Sequence, residues 1–327
     1  MKAQKSRRSS EERSIKDWER IFSDLYSEAD SKRTPEQMWI AVMAHSSSIG
    51  ESIRMFAFER LMKSAAHTFC WLCSFVNRCK TLQDNDVFSI KESLCGIVSL
   101  KYPGECGHCG SAPCTCDPEK IDQREDKSAA YKALLDSRNL ILESFENYSI
   151  ANSTKMFDKI YGGRIHIQTL ESIGFHFLEE IGEAAFSIRK LGQLRTIADT
   201  RTGIDLAFLK RLSTVEGIVQ NYAEHRKKPE DMNWASIEPD MLRARLVDAK
   251  MGLVIEIADS FSWFCAILNK LDKISRKISE HPRTRDILKP LEQVLTDEYF
   301  DAKGNARCPA CKNNPCICSF FNLNTSN

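Results

Sequence analysis

Apolar residues recur at helical spacing along most of the chain. On a helix drawn over 176–190, Phe177, Ile181, Ala184, Ala185 and Ile188 share one face, the stripe by which a helix packs on a core. The run MGLVIEIADSFSWFCAIL over 251–268 is apolar all round except for Glu256 and Asp259. Its length suits a membrane span, but two acids near the middle, with Ser260 and Ser262, make insertion costly, so it reads as a buried core helix. Between these stretches, LAFLKRLSTVEGIVQNYAEHRKK (206–228) is again apolar at helical spacing and gives way to a Pro- and Asn-containing loop, KPEDMNWASIEPD, as a helix hairpin or lid would. Sustained period-2 alternation bounded by turns is missing, and the fold class expected is all-α.

The pattern repeats. IFSDLY (21–26) matches MFDKIY (156–161), SSIGESIR (47–54) matches EEIGEAAF (179–186), and FCWLCSFVNR (69–78) matches FSWFCAILNK (261–270). A cysteine module closes each copy: CGHCGSAPCTC and CPACKNNPCIC, both C-x2-C-x4-C-x-C with Pro113 or Pro315 before the third Cys. Four landmarks in one order indicate a tandem duplication. The expected organisation is a disordered N-terminus over 1–13, a first half over 14–118 and a polar linker with a connecting helix over 119–149. The second half covers 150–320 and a tail follows over 321–327. The second half carries about 60 extra residues, about 190–247, between the landmarks at Glu183 and Asp259.

Composition adds mainly exclusions. The 327 residues suffice for a sizeable core, and 42% hydrophobic with 28% charged residues, 14 Gly and 10 Pro exclude a collagen-like or largely disordered chain. Lys+Arg 46 against Asp+Glu 45 leaves a formal charge of +1, which argues against nucleic acid or an anionic membrane surface as a partner. Nothing in the chain opposes a homo-oligomer. The opening MKAQKSRRSSEERSIKDWER has no apolar signal-type stretch, so a cytoplasmic protein with reduced cysteines is expected.

The chemistry sits on two helices. His176, Glu180, Glu183 and Ser187 line the flank of the 176–190 helix, with Glu179 further out. Alone, such a cluster reads equally as a solvated face. Glu256 and Asp259 change the weighting, because two carboxylates in an apolar run cost several kcal/mol each unless something positive meets them. One source is an Arg of the inserted segment, such as Arg243 or Arg245. The other is a hard divalent ion, Mg2+ or Mn2+, held by Glu180, Glu183, Glu256 and Asp259 in an all-oxygen cage unsuited to zinc. Mg2+ commonly completes its shell with phosphates, which points to a nucleoside triphosphate.

The sequence E-E-x-x-E (Glu179, Glu180, Glu183) followed by E-x-x-D (Glu256, Asp259) resembles the signature of the MazG-like, all-alpha nucleoside triphosphate pyrophosphohydrolases, relatives of the dimeric dUTPases. The resemblance covers about 156–275, with a degenerate copy over about 20–80. It implies a helical bundle, Mg2+ held by these acids, and hydrolysis between the α and β phosphates to monophosphate and pyrophosphate. The longer gap between the two motifs and the cysteine modules lie outside that family's pattern. Glu179 is a candidate base. Lys190, Asn269 and Lys270 are candidate substrate contacts, the two lysines serving equally as helix-end charges. A nucleotide sensor or zinc-stapled scaffold without turnover is the alternative.

In the first copy, Ser47, Ser48 and Glu51 replace Glu179, Glu180 and Glu183, and Ser64 and His67 replace Glu256 and Asp259. The packing residues Phe69, Trp71, Cys73 and Asn77 persist, so one working site is expected, with the first half walling the pocket. His45, His67 and Asn77 read as nucleotide contacts or as structural polar residues. Cys106, Cys109, Cys114 and Cys116, and Cys308, Cys311, Cys316 and Cys318, each supply four thiolates for a structural Zn2+. An iron–sulfur or redox role is the lesser alternative, since the spacing is not that of ferredoxins. Cys70, Cys73, Cys79, Cys95 and Cys265 read as small core residues.

Overall fold

A computed structural model describes residues 13–106, 109–116, 145–200, 205–225, 239–279 and 289–318. These residues are all-helical, as the periodicity requires, with no strand beyond isolated bridges between Ser14 and Ser149 and between Phe300 and Ala306. In chain order the helices are α1 (Ile15–Ser31), α2 (Pro35–Arg54), α3 (Phe58–Thr81), α4 (Leu94–Lys101), α5 (Ile150–Ile165), α6 (Leu170–Thr200), α7 (Leu206–Arg211), α8 (Val215–His225), α9 (Pro239–Ser279) and α10 (Leu291–Tyr299). The expected connecting helix, the two chain ends and most of the KPEDMNWASIEPD loop lie outside the described residues.

Local signals set the helix starts. Ser14 opens α1 with a capping box, its hydroxyl accepting from the Asp17 N–H at 3.1 Å while the Asp17 carboxylate accepts from the Ser14 N–H at 3.2 Å. Ser149 caps α5 with its hydroxyl alone, accepting from the Asn152 N–H at 3.1 Å. The two caps meet in an antiparallel bridge, so the first helices of the two sequence copies begin side by side. Thr34 and Gln37 form a second capping box ahead of Pro35.

The long helices pack pairwise. α2 lies on α3 and on α6, α1 on α3, α5 on α9, and α6 on α9. Trp39, fully buried on α2, donates its indole N–H to the Ile181 carbonyl of α6 at 3.1 Å. Glycines bring these two helices close, since a Cβ on Gly174 would stand 2.8 Å from Ile53 Cδ1. Phe22, Phe69, Phe75, Phe157 and Phe177 are buried with Trp18 and Trp39 in the continuous core, each contributing roughly 1.5–3 kcal/mol of transfer free energy. α9 has the length and composition of a membrane span, but 72% of its apolar stretch is covered by the rest of the chain, which makes it the central core helix.

Matching landmarks make matching contacts. Asn77 donates to the Glu19 carbonyl at 2.8 Å, and Asn269 to the Thr154 carbonyl at 2.9 Å. Phe22 meets Tyr299 edge-on with ring centroids 5.1 Å apart, and Phe157 meets Tyr102 at 5.2 Å. The extra segment of the second copy is the outward continuation of α6 and α9, with α7 and α8 beside it. Lys250, fully buried on α9, donates to the carbonyls of Ser89 and Leu212 at 2.8 Å each and so ties the 82–92 loop to this segment.

Candidate metal centres

α6 and α9 run antiparallel, with Lys190 beside Asp248, Ser187 beside Gly252 and His176 stacked on Trp263. Gly252 permits the approach, because a Cβ there would lie 2.8 Å from Ser187 Oγ. This register sets Glu180 against Glu256 and Asp259, whose carboxylate oxygens lie within 4.8 Å of one another. Asp259 is 8% exposed, Glu180 and Glu256 are half-buried, and Glu179 and Glu183 face solvent. Glu183 stays outside the tight group but near enough for its charge to raise the Glu256 carboxyl. Glu179 turns to the His176 ring, 3.3 Å from Nδ1.

The counter-charge of Asp259 comes from a part of the chain more than 150 positions away in sequence. Lys101 Nζ and the Tyr102 hydroxyl, at the end of α4 in the first half, each donate to one oxygen of Asp259. Arg243 instead pairs with Asp240 at 3.5 Å and lies over Phe208. Arg243 and Arg245 sit on the opening turns of α9, about 16 Å or more along the axis from Glu256, so neither neutralises the cluster. The signal for Tyr102 is present in the repeat: it and Tyr299 are the tyrosines that close α4 and α10 just ahead of the cysteine modules.

Three clustered carboxylates against one ammonium leave a formal −2, which one divalent cation matches. Burial, and next the charge of Asp259, push the Glu180 carboxyl up to about 9 and the Glu256 carboxyl up to about 7. Without a cation these two acids tend to retain protons. The donors are all carboxylate oxygens, the ligand type that hard divalent cations favour.

Three candidate phosphate contacts are engaged within the fold. Lys190 lies 3.6 Å from Asp248 and over the Phe186 ring. Lys270 donates to the carbonyls of His166 and Gln168 at 3.2 and 2.6 Å, and Asn269 to Thr154. The last two stand about 15 Å along α9 from Asp259.

The corresponding place in the first half holds no acid cluster among the described residues. Glu51 pairs with Arg60, and the Ser47 and Ser48 hydroxyls donate back to the Met43 and Ala44 carbonyls. His67 Nδ1 is hydrogen-bonded to the Tyr299 hydroxyl at 3.1 Å and its ring stacks on His45 at 5.2 Å. Burial lowers both histidines, His45 to about 4. Tyr299 thus meets His67 as Tyr102 meets Asp259. With Asn77 on the Glu19 carbonyl, these polar residues serve the packing.

The cysteine modules form two further centres. Cys106 and Cys116 sulfurs are 3.7 Å apart and Cys109 and Cys114 4.0 Å; the second module has 3.9 Å between Cys308 and Cys318 and 3.8 Å between Cys311 and Cys316. A tetrahedral Zn2+ with Zn–S near 2.3 Å requires sulfurs about 3.8 Å apart, whereas a disulfide requires about 2.05 Å. Both loops fold alike: the Gly110 and Lys312 N–H groups donate to the carbonyls of Cys106 and Cys308 at 2.8 and 2.9 Å. Gly110 and Lys312 both have left-handed backbones, φ 63° and 61°. Cys70, Cys73, Cys79, Cys95 and Cys265 are buried, and desolvation raises their thiols, Cys79 to about 12, so they are inert core residues.

Among the described residues, fold and site together define an all-helical arrangement with one cluster of acids between antiparallel helices and two four-cysteine clusters, each of which could hold a metal. No protein-family model matches the chain, and no curated protein or solved structure matches it at a significant level.

Proposed function

We propose that this protein is a Mg2+- or Mn2+-dependent nucleotide pyrophosphohydrolase of the MazG-like kind, a tandem duplicate whose second copy carries the working site. The reading rests on the convergence of half-buried Glu180 and Glu256 with buried Asp259 from two helices. Their oxygens, with Glu183 at the rim, would hold the ion. A bound divalent ion supplies neutralising charge for a polyphosphate and a more acidic water. Water adds to the α phosphorus as the bond to the β-phosphate oxygen breaks, and pyrophosphate leaves. The proton passes to a carboxylate outside the ion's ligands, for which solvent-facing Glu179, beside the His176 ring, is the candidate. The first half contributes Lys101 and Tyr102, which orient Asp259. The two tetrathiolate clusters are zinc staples.

A second reading, binding without turnover, is favoured by one observation: both oxygens of Asp259 are already held by Lys101 and Tyr102. Pyrophosphate release from a full NTP and dNTP panel with Mg2+ or Mn2+ separates the two. The enzyme reading expects release from at least one nucleotide and a loss of about 100-fold or more in Glu180→Gln and Glu256→Gln. Metal-dependent nucleotide binding by calorimetry with no product would establish the sensor, and equal behaviour of wild type and both variants would end the enzyme reading.

A further inference from the structure

Each cysteine module belongs to one half of the chain and is fastened to the other. The module at 106–116 follows α4, yet the Cys114 N–H donates to the Ile160 carbonyl on α5 at 2.8 Å, and the Tyr161 hydroxyl is hydrogen-bonded with Cys106. The module at 308–318 follows α10, and its Cys316 N–H donates to the Leu25 carbonyl on α1 at 2.8 Å, with Tyr26 hydrogen-bonded to Cys308. Leu25 and Ile160, and Tyr26 and Tyr161, are equivalent positions of IFSDLY and MFDKIY, so the exchange is reciprocal.

The residue closing the helix ahead of each module crosses with it. Tyr102 packs on Phe157 and reaches Asp259, whereas Tyr299 packs on Phe22 and reaches His67. Only four positions separate Tyr102 from Cys106, so the placement of the first sulfur constrains where the Lys101–Tyr102 pair stands. Among the described residues of 106–116, the apolar contacts with the core are made by the four cysteines and Ala112, so little apolar surface other than the thiols themselves is available to order the loop. Ordering such a segment without metal is unfavourable, and four thiolates at tetrahedral spacing supply the missing constraint.

We propose that zinc in each module clasps the opposite half, and that zinc in the first module positions Lys101 and Tyr102 on Asp259, making that module a positioning element of the acidic site in the second half. The clasp stands on the cysteine geometry and the two crossed contacts. Its effect on the acidic site also rests on the reading of Glu180, Glu256 and Asp259 as cation ligands.

The test uses the full chain and two paired variants, Cys109→Ser with Cys114→Ser and Cys311→Ser with Cys316→Ser. Zinc released to a colorimetric chelator is expected to fall from two equivalents in the wild type to one in each variant. Hydrogen exchange should then cross over: the first variant loses protection in α5 and α4 with α1 unchanged, and the second loses it in α1 and α10 with α5 unchanged. Titrated with Mn2+, the first variant is expected to bind at least tenfold more weakly than wild type and the second within twofold.

Loss of protection confined to the half that carries the mutated module, or a wild type purified from zinc-supplemented cells without zinc, overturns the clasp. Unchanged Mn2+ affinity in the first variant overturns its link to the acidic site. A wild type that binds no Mn2+ overturns both that link and the cation reading, while the exchange pattern still decides the clasp. Where a variant fails to fold, stepwise chelation of the wild type gives the same reading: α1 and α5 open as zinc leaves, ahead of global unfolding, or the clasp is wrong.

Discussion

At the scale of single residues, the acidic cluster shows how carboxylates are kept in an apolar interior. Asp259 is satisfied by an ammonium and a phenol, which leaves Glu180 and Glu256 to share what remains. Their carboxyls are raised by burial and by Asp259, to about 9 and about 7. A carboxyl raised in the folded state contributes stability that is full below its unfolded value, near 4.5, and is lost as pH rises through the folded value. In EDTA the wild type therefore loses this contribution from about pH 5 to pH 9. Lys250, lowered by burial to about 7, titrates in the opposite sense, so the informative quantity is a difference. Glu180→Gln is expected to melt higher than wild type in EDTA, with a gap that widens from pH 6 to pH 9 and closes with saturating Mg2+. Melting curves at the two pH values check this, and a gap independent of pH and of Mg2+ would count against it. Lys312 makes a different point, since its left-handed backbone is one that glycine occupies freely at Gly110 in the sister module.

At the scale of elements, the spacing of α6 from α9 decides whether a site exists. The apolar stripe of α6 and the continuous run of α9 are legible in the sequence, because burial imposes those periods. Their register is not, because it depends on which side chains interlock where Gly252 meets Ser187. Gly252→Ala is expected to cost under about 1 kcal/mol, as the Ser187 hydroxyl can turn aside. Gly252→Leu must part the helices, at about 1–3 kcal/mol, and should weaken Mn2+ binding by moving the carboxylates apart. Gly182, where an added Cβ meets nothing within 4 Å, is the control: Gly182→Leu gains helix propensity, so its urea midpoint does not fall, and the Mn2+ titration is unchanged. Lys190, Asn269 and Lys270 stand apart from the acidic cluster for a related reason. Helical proximity in sequence becomes distance along an axis, and each side chain finds a nearer acid or carbonyl.

At the scale of the whole molecule, the halves exchange rather than merely abut. Phe22 takes Tyr299 and Phe157 takes Tyr102, while Trp39 bonds across to Ile181. Neither half closes its core alone, so unfolding is expected as one cooperative transition. Variants that retain only Trp39 or only Trp263, the other tryptophans replaced by Phe, report the first and second halves separately. Coincident urea midpoints within error are expected, and two separated transitions would show independent domains.

The sequence by itself determined the helices, the order of repeated landmarks, the acids worth watching and the cysteine quartets, because periodicity, capping and ligand spacing are written locally. Only the tertiary structure decided that Lys101 and Tyr102 from one copy complete the environment of Asp259 in the other, and that each cysteine module rests on its counterpart's first helix. Those pairings join residues more than 150 positions apart for the lysine–aspartate contact. They depend on how helices far apart in the chain come to lie against one another, which no local pattern encodes.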